Sequence, residues 1–520
     1  MTEDRKQVNK WLIAVTVMLP TLIEIIDTSI VNVSLDHIRG SLSAGIDETT
    51  WAISAYLVAN AIVIPMSGWF SRLFGRKRYQ IGSIIIFTVS SLLCGAAWSF
   101  QSLIFFRVIQ GLGGGGLIPV SQAILLEAFP REEHGIAMAI FGMGAMVGPI
   151  MGPLLGGLIT YHWNWRWIFY INIPIGILSI LLSVLFIHDP PYLKRSKTMT
   201  IDYLGFILLA IGLGSIQFIL STGQRDGWFA SPTIVGITVT ALIALGFLII
   251  NELYDEHPII NLKLFRDRSF AGGSIVMFFV FFNLFGSIVL LPIFLQVLMG
   301  YTSLHAGLIL GPGGIASLIT MPIVGKLVGK VNPKRILTVG IVVCAATTYY
   351  MSLFNLQTDF WTFVWPRVSL GFGMACIFIP LTTLTLSHIP KPNMGDATSL
   401  YNLLRNMGGS IGIAFATTMA ARRGQFHQLR LSEHLTPFDP SYVIGKAKGA
   451  AILSYKGLFN FPADAGIYRQ LLIQSNMLGF NDAFFLISMM LLSVLPLVFI
   501  LKVPEGYGSS GPSRKPDSDH

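Results

Sequence analysis

The sequence has few charged residues. Of its 520 residues only 12% are Asp, Glu, Lys or Arg, whereas 53% are hydrophobic. Soluble domains carry roughly 25% charged residues, so this composition excludes an ordinary soluble protein and indicates a polytopic membrane protein. The net charge of +9 does not indicate nucleic-acid binding, because the basic residues lie in short loops between apolar segments, where membrane topology explains them.

Cysteine, metal-ligand and nucleotide motifs are also scarce. The three cysteines lie far apart inside apolar runs, which excludes a disulfide framework or a redox motif. The histidines have no metal-ligand spacing, and there is no GxxxxGK[ST] loop for an ATP-driven engine of that type. We therefore expect no enzyme, no metal and no cofactor. The first apolar stretch has no small-residue cleavage site and is long, so we expect it to remain as the first span.

Long apolar segments predict an all-α membrane protein with fourteen spans. The spans are roughly 11–34, 51–71, 79–99, 102–127, 135–160, 166–187, 202–222, 232–253, 270–299, 303–329, 333–354, 361–386, 395–421 and 480–502. We interpret them as an N-terminal six-helix bundle (1–187), two extra central helices with flanks (188–268), a C-terminal six-helix bundle (269–502) and a disordered tail (503–520). The extra pair is expected at the periphery, because its interior offers almost nothing polar to a cavity.

Loop charge and an internal repeat support this organisation. With both termini inside, the cytoplasmic segments carry about twice as many Lys and Arg residues as the outside segments, as the positive-inside rule requires. Residues 68–78 and 325–335 occupy the same place in each half and share a glycine, a short turn and a basic cluster. Repeats of this kind are typical of transporters. Gly68, Gly75 and Arg76 are therefore candidates for a role in conformational change.

Two acids lie near the middle of the first span. Glu24 and Asp27 are three residues apart and share one helical face. An ionised carboxylate at mid-membrane costs about 2.5 to 3.5 kcal/mol or more and normally faces a bundle interior or a wet cavity. We predict that these acids load and unload protons; the alternative is a polar clamp between helices that does not titrate.

A buried cation is available in the fourth span. Arg107 is followed three residues later by Gln110 on the same helical face, and Glu24 or Asp27 are its candidate partners. A guanidinium favours ionisation of a nearby acid and burial opposes it. We therefore predict a proton-coupling role for Arg107, with a fixed structural ion pair as the alternative.

The fifth span carries a stripe of small residues, which let two helices approach closely. Its glycines recur every fourth residue and two prolines interrupt them: Gly144, Gly148, Pro149, Gly152, Pro153 and Gly156. Because proline bends helices, we predict that this stripe forms a tight, bendable contact between the two halves.

Polar residues in spans 9 and 13 are candidates for substrate binding. Span 13 contains Tyr401, Asn402, Arg405 and Asn406, and a charged residue that deep in a span should face the interior. Asp396 near its start is interpreted as a simple N-terminal helix charge, although it could pair with Arg405. In span 9, Asn283 and Gln296 either contact substrate or bond to a neighbouring helix.

The outside loop 422–479 is far longer than the others. Parts of it, such as 424–435 and 468–478, could form helices that lie on the membrane surface or against a partner. The alternative is a solvated connector.

Together these segments resemble the major facilitator superfamily, in its fourteen-span drug:proton antiporter branch of the EmrB/QacA type. The resemblance rests on residues 27–33 in span 1, 103–111 in span 4, 144–157 in span 5, 165–174 before span 6, 380–387 in span 12 and the long last loop. One position departs from the family: Arg72 stands where the loop after span 2 usually carries an Asp. A gating salt bridge built on that acid is therefore in doubt.

The resemblance implies a proton-driven secondary exporter of hydrophobic toxic compounds that works by alternating access in the bacterial inner membrane. It also implies a periplasmic membrane-fusion adaptor of the EmrA kind and an outer-membrane channel of the TolC kind. In the implied cycle, drug binds beside deprotonated Glu24 and Asp27, the halves rock, and protons displace the drug outside. The alternatives are a proton-coupled uptake symporter for a small anionic solute anchored by Arg405, and a non-transporting receptor.

Overall fold

A computed structural model describes residues 9–190, 202–255, 258–433, 435–436, 438–440, 442–447 and 463–503. All regular elements in these ranges are helices, which confirms the all-α prediction. The predicted tail and the middle of the long loop lie outside the described residues.

The first nine helices pack with one another as an N-terminal bundle. They are α1 (Lys10–Leu42), α2 (Ile46–Thr49), α3 (Trp51–Phe74), α4 (Arg76–Gly95), α5 (Phe100–Gly114), α6 (Leu117–Ala128), α7 (His134–His162), α8 (Trp167–Tyr170) and α9 (Asn172–Phe186). The predicted fourth span is divided into α5 and α6 by a run of glycines. A Cβ atom on Gly111 or Gly115 would lie 2.5–2.6 Å from backbone oxygens of α3, so this run allows α3 to approach closely.

Two helices follow as a separate pair, α10 (Tyr203–Thr222) and α11 (Pro232–Tyr254). Most of their apolar side chains are exposed on the surface, as expected of helices that face lipid. α10 packs against α3, where Gly214 faces Val58 and Ile62. A 3₁₀ segment at Leu262–Arg266 then leads to the next helix.

The remaining helices form a C-terminal bundle. They are α12 (Arg268–Ile293), α13 (Ser303–Val328), α14 (Pro333–Met351), α15 (Phe360–Leu386), α16 (Met394–Ser432), α17 (Ala463–Ser493) and α18 (Leu497–Ile500). Every predicted span contains a helix. Among the described residues, eleven helices are long and apolar enough to cross a membrane, and α7, α14 and α16 complete a set of fourteen.

The ends of α16 and α17 correct the prediction for the long loop. The segment 424–435 largely continues α16, and 468–478 belongs to α17, so neither is a separate helix lying on the membrane surface. With 39 residues, α16 spans about 58 Å, well beyond a hydrocarbon core of about 30 Å. Asp482 of α17 accepts from Arg423 Nε at 2.5 Å and contacts His427 Nε2 at 2.8 Å. The two helices therefore project together as a hairpin.

The two ends of the bundle differ. One end carries the α3–α4 and α13–α14 turns, and we call it the basic face after the cations 76–78 and 334–335. The opposite end, which carries the projecting hairpin of α16 and α17, is the loop face.

Candidate functional site

Asp27 lies at the centre of a fully formed polar network in the N-terminal bundle. Its Oδ2 accepts from Arg107 Nη1 at 2.5 Å, and its Oδ1 accepts from Gln110 Nε2 and Asn172 Nδ2, each at 2.9 Å. All four side chains are buried. The carboxylate thus has one cation and two amide donors, the pairing that makes a buried charge tolerable.

Arg107 is equally well satisfied. Besides Asp27, its guanidinium donates to Gln110 Oε1 at 2.8 Å and through Nε to the Ala52 carbonyl at 2.9 Å. Its Cζ lies 4.3 Å from the centre of the Tyr56 ring, within the range of a cation–π contact. The prediction that Arg107 and Gln110 share a face is confirmed, and of its two candidate partners Arg107 pairs with Asp27.

Glu24 has a different environment from Asp27, one helical turn away. Its Oε1 accepts from Asn60 Nδ2 at 3.0 Å, whereas its Oε2 is buried without a hydrogen-bond partner among the described residues. The charge of Arg405 in the C-terminal bundle acts on it, but no ion pair joins the two in the part of the chain that the structure describes. Glu24 is therefore a buried acid whose charge is only partly compensated.

Arg405 is half-buried on α16 and faces the same region from the other bundle. Its Nη1 donates to Asn402 Oδ1 at 3.2 Å, and its guanidinium stacks on Phe281 at 4.7 Å from the ring centre. Glu24 and Arg405 thus bring one acid and one cation, each without a direct ion pair among the described residues, to the junction of the two bundles.

The other predicted residues of span 13 divide between packing and contact across the bundles. The Tyr401 hydroxyl lies 3.1 Å from Thr382 Oγ1 of α15 and is fully buried. Asn402 Nδ2 donates to Gln122 Oε1 of α6 at 2.6 Å and so links the bundles. Asn406 is half-buried.

The predicted residues of span 9 do not join this group. Asn283 is buried and donates through Nδ2 to Thr348 Oγ1 of α14 at 3.1 Å. The helix-packing alternative therefore describes Asn283 in this structure. Gln296 is exposed in the π-helical turn Phe294–Leu298 that ends α12.

The basic face is closed by contacts between the bundles. Arg72 of α3 forms an ion pair with buried Asp396 of α16, and Ser67 Oγ lies 2.8 Å from Ser399 Oγ. Asp396 is thus more than an N-terminal helix charge, and it pairs with Arg72 instead of Arg405, which corrects both predictions. Although Arg72 replaces the family's Asp, an interbundle salt bridge is present with the arginine on α3.

The repeat residues lie at this closure. A Cβ atom on Gly68 would come within 2.6–2.8 Å of Asp396 atoms, so the missing side chain admits α16. Gly75 has φ +87°, which L side chains rarely adopt, and it turns the chain into α4. Arg76 is buried and forms an ion pair with Glu127 of α6.

A second contact between the bundles is apolar, and the internal repeat relates it to the contact of α3 with α16. A Cβ atom on Gly325 of α13 would lie 2.7 Å from Ala139 Cβ and 3.1 Å from the Gly135 carbonyl oxygen of α7. Nearby, the rings of Phe141 and Phe378 stack with centres 6.3 Å apart. Thus α3 meets α16 and α13 meets α7, each pair being span 2 of one half and span 5 of the other.

The glycine stripe of span 5 is not the contact between halves that we predicted. Cβ atoms on Gly144, Gly148, Gly152 and Gly156 would collide with Met18, Ile25, Ser29 and Ile30 respectively. All four partners belong to α1 of the same bundle. The stripe therefore lets α7 pack tightly on the helix that carries Glu24 and Asp27. The side chains of Pro149 and Pro153 lie outside the described residues.

Three polar residues of the site were not assigned a role from the sequence: Asn60, Gln122 and Asn172. Each is an amide within an otherwise apolar span, and that is the signal that could have identified them. Asn172 also donates to Ser91 Oγ at 3.0 Å, which fixes its amide between α4 and α1.

Comparison with known proteins places this geometry in context. A family model described as Major Facilitator Superfamily matches residues 17–413. The chain is 37% identical over 501 residues to the multidrug export protein EmrB of Escherichia coli K12, covering 96% of this chain and 97% of that protein. It is 35% identical over 497 residues to the fatty acid resistance protein FarB of Neisseria gonorrhoeae, covering 95% and 96%.

Solved structures share the fold at low sequence identity. The human organic anion transporter MFSD10 has a TM-score of 0.62 at 12% identity, covering 94% of this chain and 99% of that one. The proton:xylose symporter XylE has a TM-score of 0.58 at 13% identity, covering 94% and 96%. At such identity the likeness establishes the architecture alone.

Proposed function

The chain belongs to the Major Facilitator Superfamily, and we propose that it is a multidrug exporter. It is a transporter, not an enzyme, and a multi-pass membrane protein. The proposal of export is supported by its likeness, over nearly the whole chain, to proteins named for multidrug export and fatty acid resistance. Its substrates would be hydrophobic toxic compounds.

We infer that Glu24 carries the transported proton. The observation behind this inference is the contrast between the two acids. Asp27 is neutralised by Arg107 and two amides, whereas one oxygen of Glu24 is buried without a partner among the described residues. A buried charge without adequate partners is costly, so Glu24 is the acid for which gaining a proton in this conformation relieves the most free energy.

Arg107 and Asp27 would then serve as a fixed charge pair beside the moving proton. In the proposed cycle, a substrate enters beside deprotonated Glu24 while the basic face is open. Closure at Arg72–Asp396 and Gly135–Gly325 exposes the site toward the loop face. A proton then binds Glu24, the substrate leaves, and neutral Glu24 permits the return. Each proton entering would contribute about 2.3 kcal/mol per 100 mV of membrane potential.

We propose that a bound compound contacts polar residues of span 13 at the junction of the two bundles: Tyr401, Asn402, Arg405 and Asn406. Arg405 has only one hydrogen bond and a stacked ring among the described residues, so its remaining donors are available to a polar group of a bound compound. Asn283, which donates to Thr348, and the exposed Gln296 are not included among these substrate-binding residues.

The basic face is proposed to be cytoplasmic, with both termini inside and the protein in a bacterial inner membrane. The positive-inside bias supports this orientation. The projecting hairpin of α16 and α17 would then extend into the periplasm, where a membrane-fusion adaptor could contact it and connect to an outer-membrane channel. The 1–187 and 269–502 bundles, joined by 188–268, would be the two moving halves.

Proton movement in proteoliposomes tests the coupling. Purified protein is reconstituted with a pH-sensitive dye inside, and ethidium serves as the lipophilic probe because it does not itself carry protons. An imposed pH gradient should drive ethidium against the direction of proton flow. Glu24→Gln should abolish this exchange while ethidium binding, measured by fluorescence, remains.

A matched control variant is Glu133→Gln. It removes a carboxylate on the basic face that pairs with Lys10 and is not proposed to bind substrate or the transported proton. It should exchange like the wild type. If ethidium and protons moved in the same direction, uptake would replace export. If Glu24→Gln coupled normally, Glu24 would not be the proton carrier.

A further inference from the structure

The chain between α11 and α12 touches the ion pair that closes the basic face. We call residues 258–267 the strap. Arg72 Nη2 donates to the Pro258 carbonyl at 3.2 Å while its Nη1 pairs with Asp396. On the other side, the Asn261 side chain is a polar neighbour of Asp396, and its Oδ1 is buried without a partner among the described residues. The strap therefore contacts both members of a pair that joins the two bundles.

Two buried oxygens at this point lack a matching donor. Asp396 Oδ1 and Asn261 Oδ1 both have no hydrogen-bond partner among the described residues. The oxygen and nitrogen of an asparagine amide are assigned from the surrounding hydrogen bonds. An Asn261 amide turned by 180° would present an N–H donor where its unpartnered oxygen now lies.

The strap is fixed to the extra helix pair. Glu252 near the end of α11 is buried, and its Oε2 accepts from the Ile260 backbone N–H at 3.1 Å. Ile259 and Ile260 are also buried. The strap consequently moves with α11, so a displacement of the extra pair would be transmitted to Pro258 and Asn261.

The extra pair also contacts both bundles near the loop face. Trp228, in the connection between α10 and α11, donates to Thr418 Oγ1 of α16 at 3.0 Å. Phe218 of α10 packs on Trp51 of α3, with ring centres 5.5 Å apart. The pair thus spans the α3–α16 junction at both ends, whereas the α7–α13 junction closes with glycines and stacked rings.

We propose that the strap is a third component of the closure at the basic face, with Asn261 and the Pro258 carbonyl positioning the Arg72–Asp396 pair. Separation of α3 from α16 breaks at least one strap contact as well as the ion pair, so the α10–α11 pair stabilises the closed basic face. This inference rests on the proposed alternating access, in which the two bundles separate at that face. It gives the two extra helices a function at the junction although most of their surface faces lipid.

Accessibility of Ser399 measures this closure without transport. Ser399 is buried against Ser67 in the closed structure, so Ser399→Cys should react with a maleimide only when the face opens. The native cysteines are buried, and protein without the added cysteine provides the labelling blank. Purified full-length protein in detergent is used, so that both faces are reached.

In the Ser399→Cys protein, Asn261→Ala should raise the labelling rate by roughly tenfold, the change expected for losing one hydrogen bond to a charged group. Asn261→Asp should raise it further, because it places a second acid beside Asp396. Asn332→Ala is the matched control: Asn332 is an exposed asparagine of the same face that caps α14, and its loss should leave labelling unchanged.

A double-mutant cycle separates positioning from general loosening. In an Asp396→Asn background, where the ion pair is already lost, Asn261→Ala should have little further effect. An equal increase in both backgrounds, or no increase in either, would overturn the proposal. Thermal unfolding of each variant checks that it is folded. Because labelling needs neither substrate nor protons, this result is independent of the test of Glu24.

Discussion

In the N-terminal bundle, the buried Arg107 is saturated: it contacts Asp27, Gln110 and the Ala52 carbonyl, and it stacks on Tyr56. In the C-terminal bundle, Arg405 is half-buried and, within the described ranges, has one hydrogen bond and one stacked ring. These two arginines, on different helices of their bundles, differ in how far their donors are satisfied. The N-terminal bundle encloses a completed network, and the C-terminal bundle presents a cation with unused donors to the junction.

This difference indicates that the two arginines have different roles. A completed network of one acid, one cation and two amides resists change, because removing any member leaves another buried group without a partner. An arginine with spare donors can change partners at low cost. The comparison therefore predicts that substitutions in the N-terminal network lower stability most. Substitutions of Arg405 and Asn283 in the C-terminal bundle should lower stability less, and that of Arg405 should also weaken ligand binding.

The largest effect is expected for Arg107→Leu. Asp27 would keep its amide donors but lose the one cation that it pairs with among the described residues, and breaking a buried pair from one side costs about 3 to 5 kcal/mol. Unfolding of purified protein in mixed micelles measures the loss. The double variant Asp27→Leu with Arg107→Leu should be more stable than Arg107→Leu alone, and strictly additive losses would contradict the network.

An intermediate effect is expected for Arg405→Gln. Its hydrogen bond to Asn402 and its stacking on Phe281 are each worth about 1 kcal/mol, so the free energy of unfolding should fall by much less than in Arg107→Leu. Binding of compounds with an acceptor group, followed by fluorescence, should weaken. A loss of stability equal to that of Arg107→Leu would remove the contrast between the bundles.

The smallest effect is expected for Asn283→Leu. Hydrogen bonds between membrane helices average about 0.6 kcal/mol, and the contact with Thr348 is of this kind. Stability should fall slightly and exchange of ethidium for protons should continue. Thr348→Val is the control, and the pair of changes should be less than additive. Lost transport at unchanged stability would return Asn283 to the substrate site.

Local pattern was enough to predict parts of this site. Arg107 and Gln110 share a face because they are three residues apart on a helix, and their hydrogen bond follows. Likewise, Glu24 and Asp27 both turn inward, because mid-membrane carboxylates avoid lipid. Arg107 was expected to pair with one of these acids, but which acid it pairs with, and the amide partners Asn60 and Asn172, could not be predicted. These residues come from three other helices whose rotations depend on packing.

The glycine stripe and Asp396 show the same limit. Four-residue spacing predicted a close helix contact, but the partner was α1 of the same bundle instead of the opposite half. Asp396 has the position of an ordinary helix-capping charge, yet Gly68 leaves room for it beside Arg72, which is 324 residues earlier in the chain. Neither pairing can be predicted from the spacing of residues along the sequence.

The sequence by itself determined the helical class, the number of spans and the inward-facing residues. In a bilayer the backbone must satisfy its hydrogen bonds within each segment, so hydrophobic length and helical period suffice. Only the tertiary structure decided that Asp27 is neutralised and Glu24 is not, that α7 packs on α1, and that the strap reaches the Arg72–Asp396 pair. These outcomes depend on contacts between distant segments, which form only when all the helices have packed.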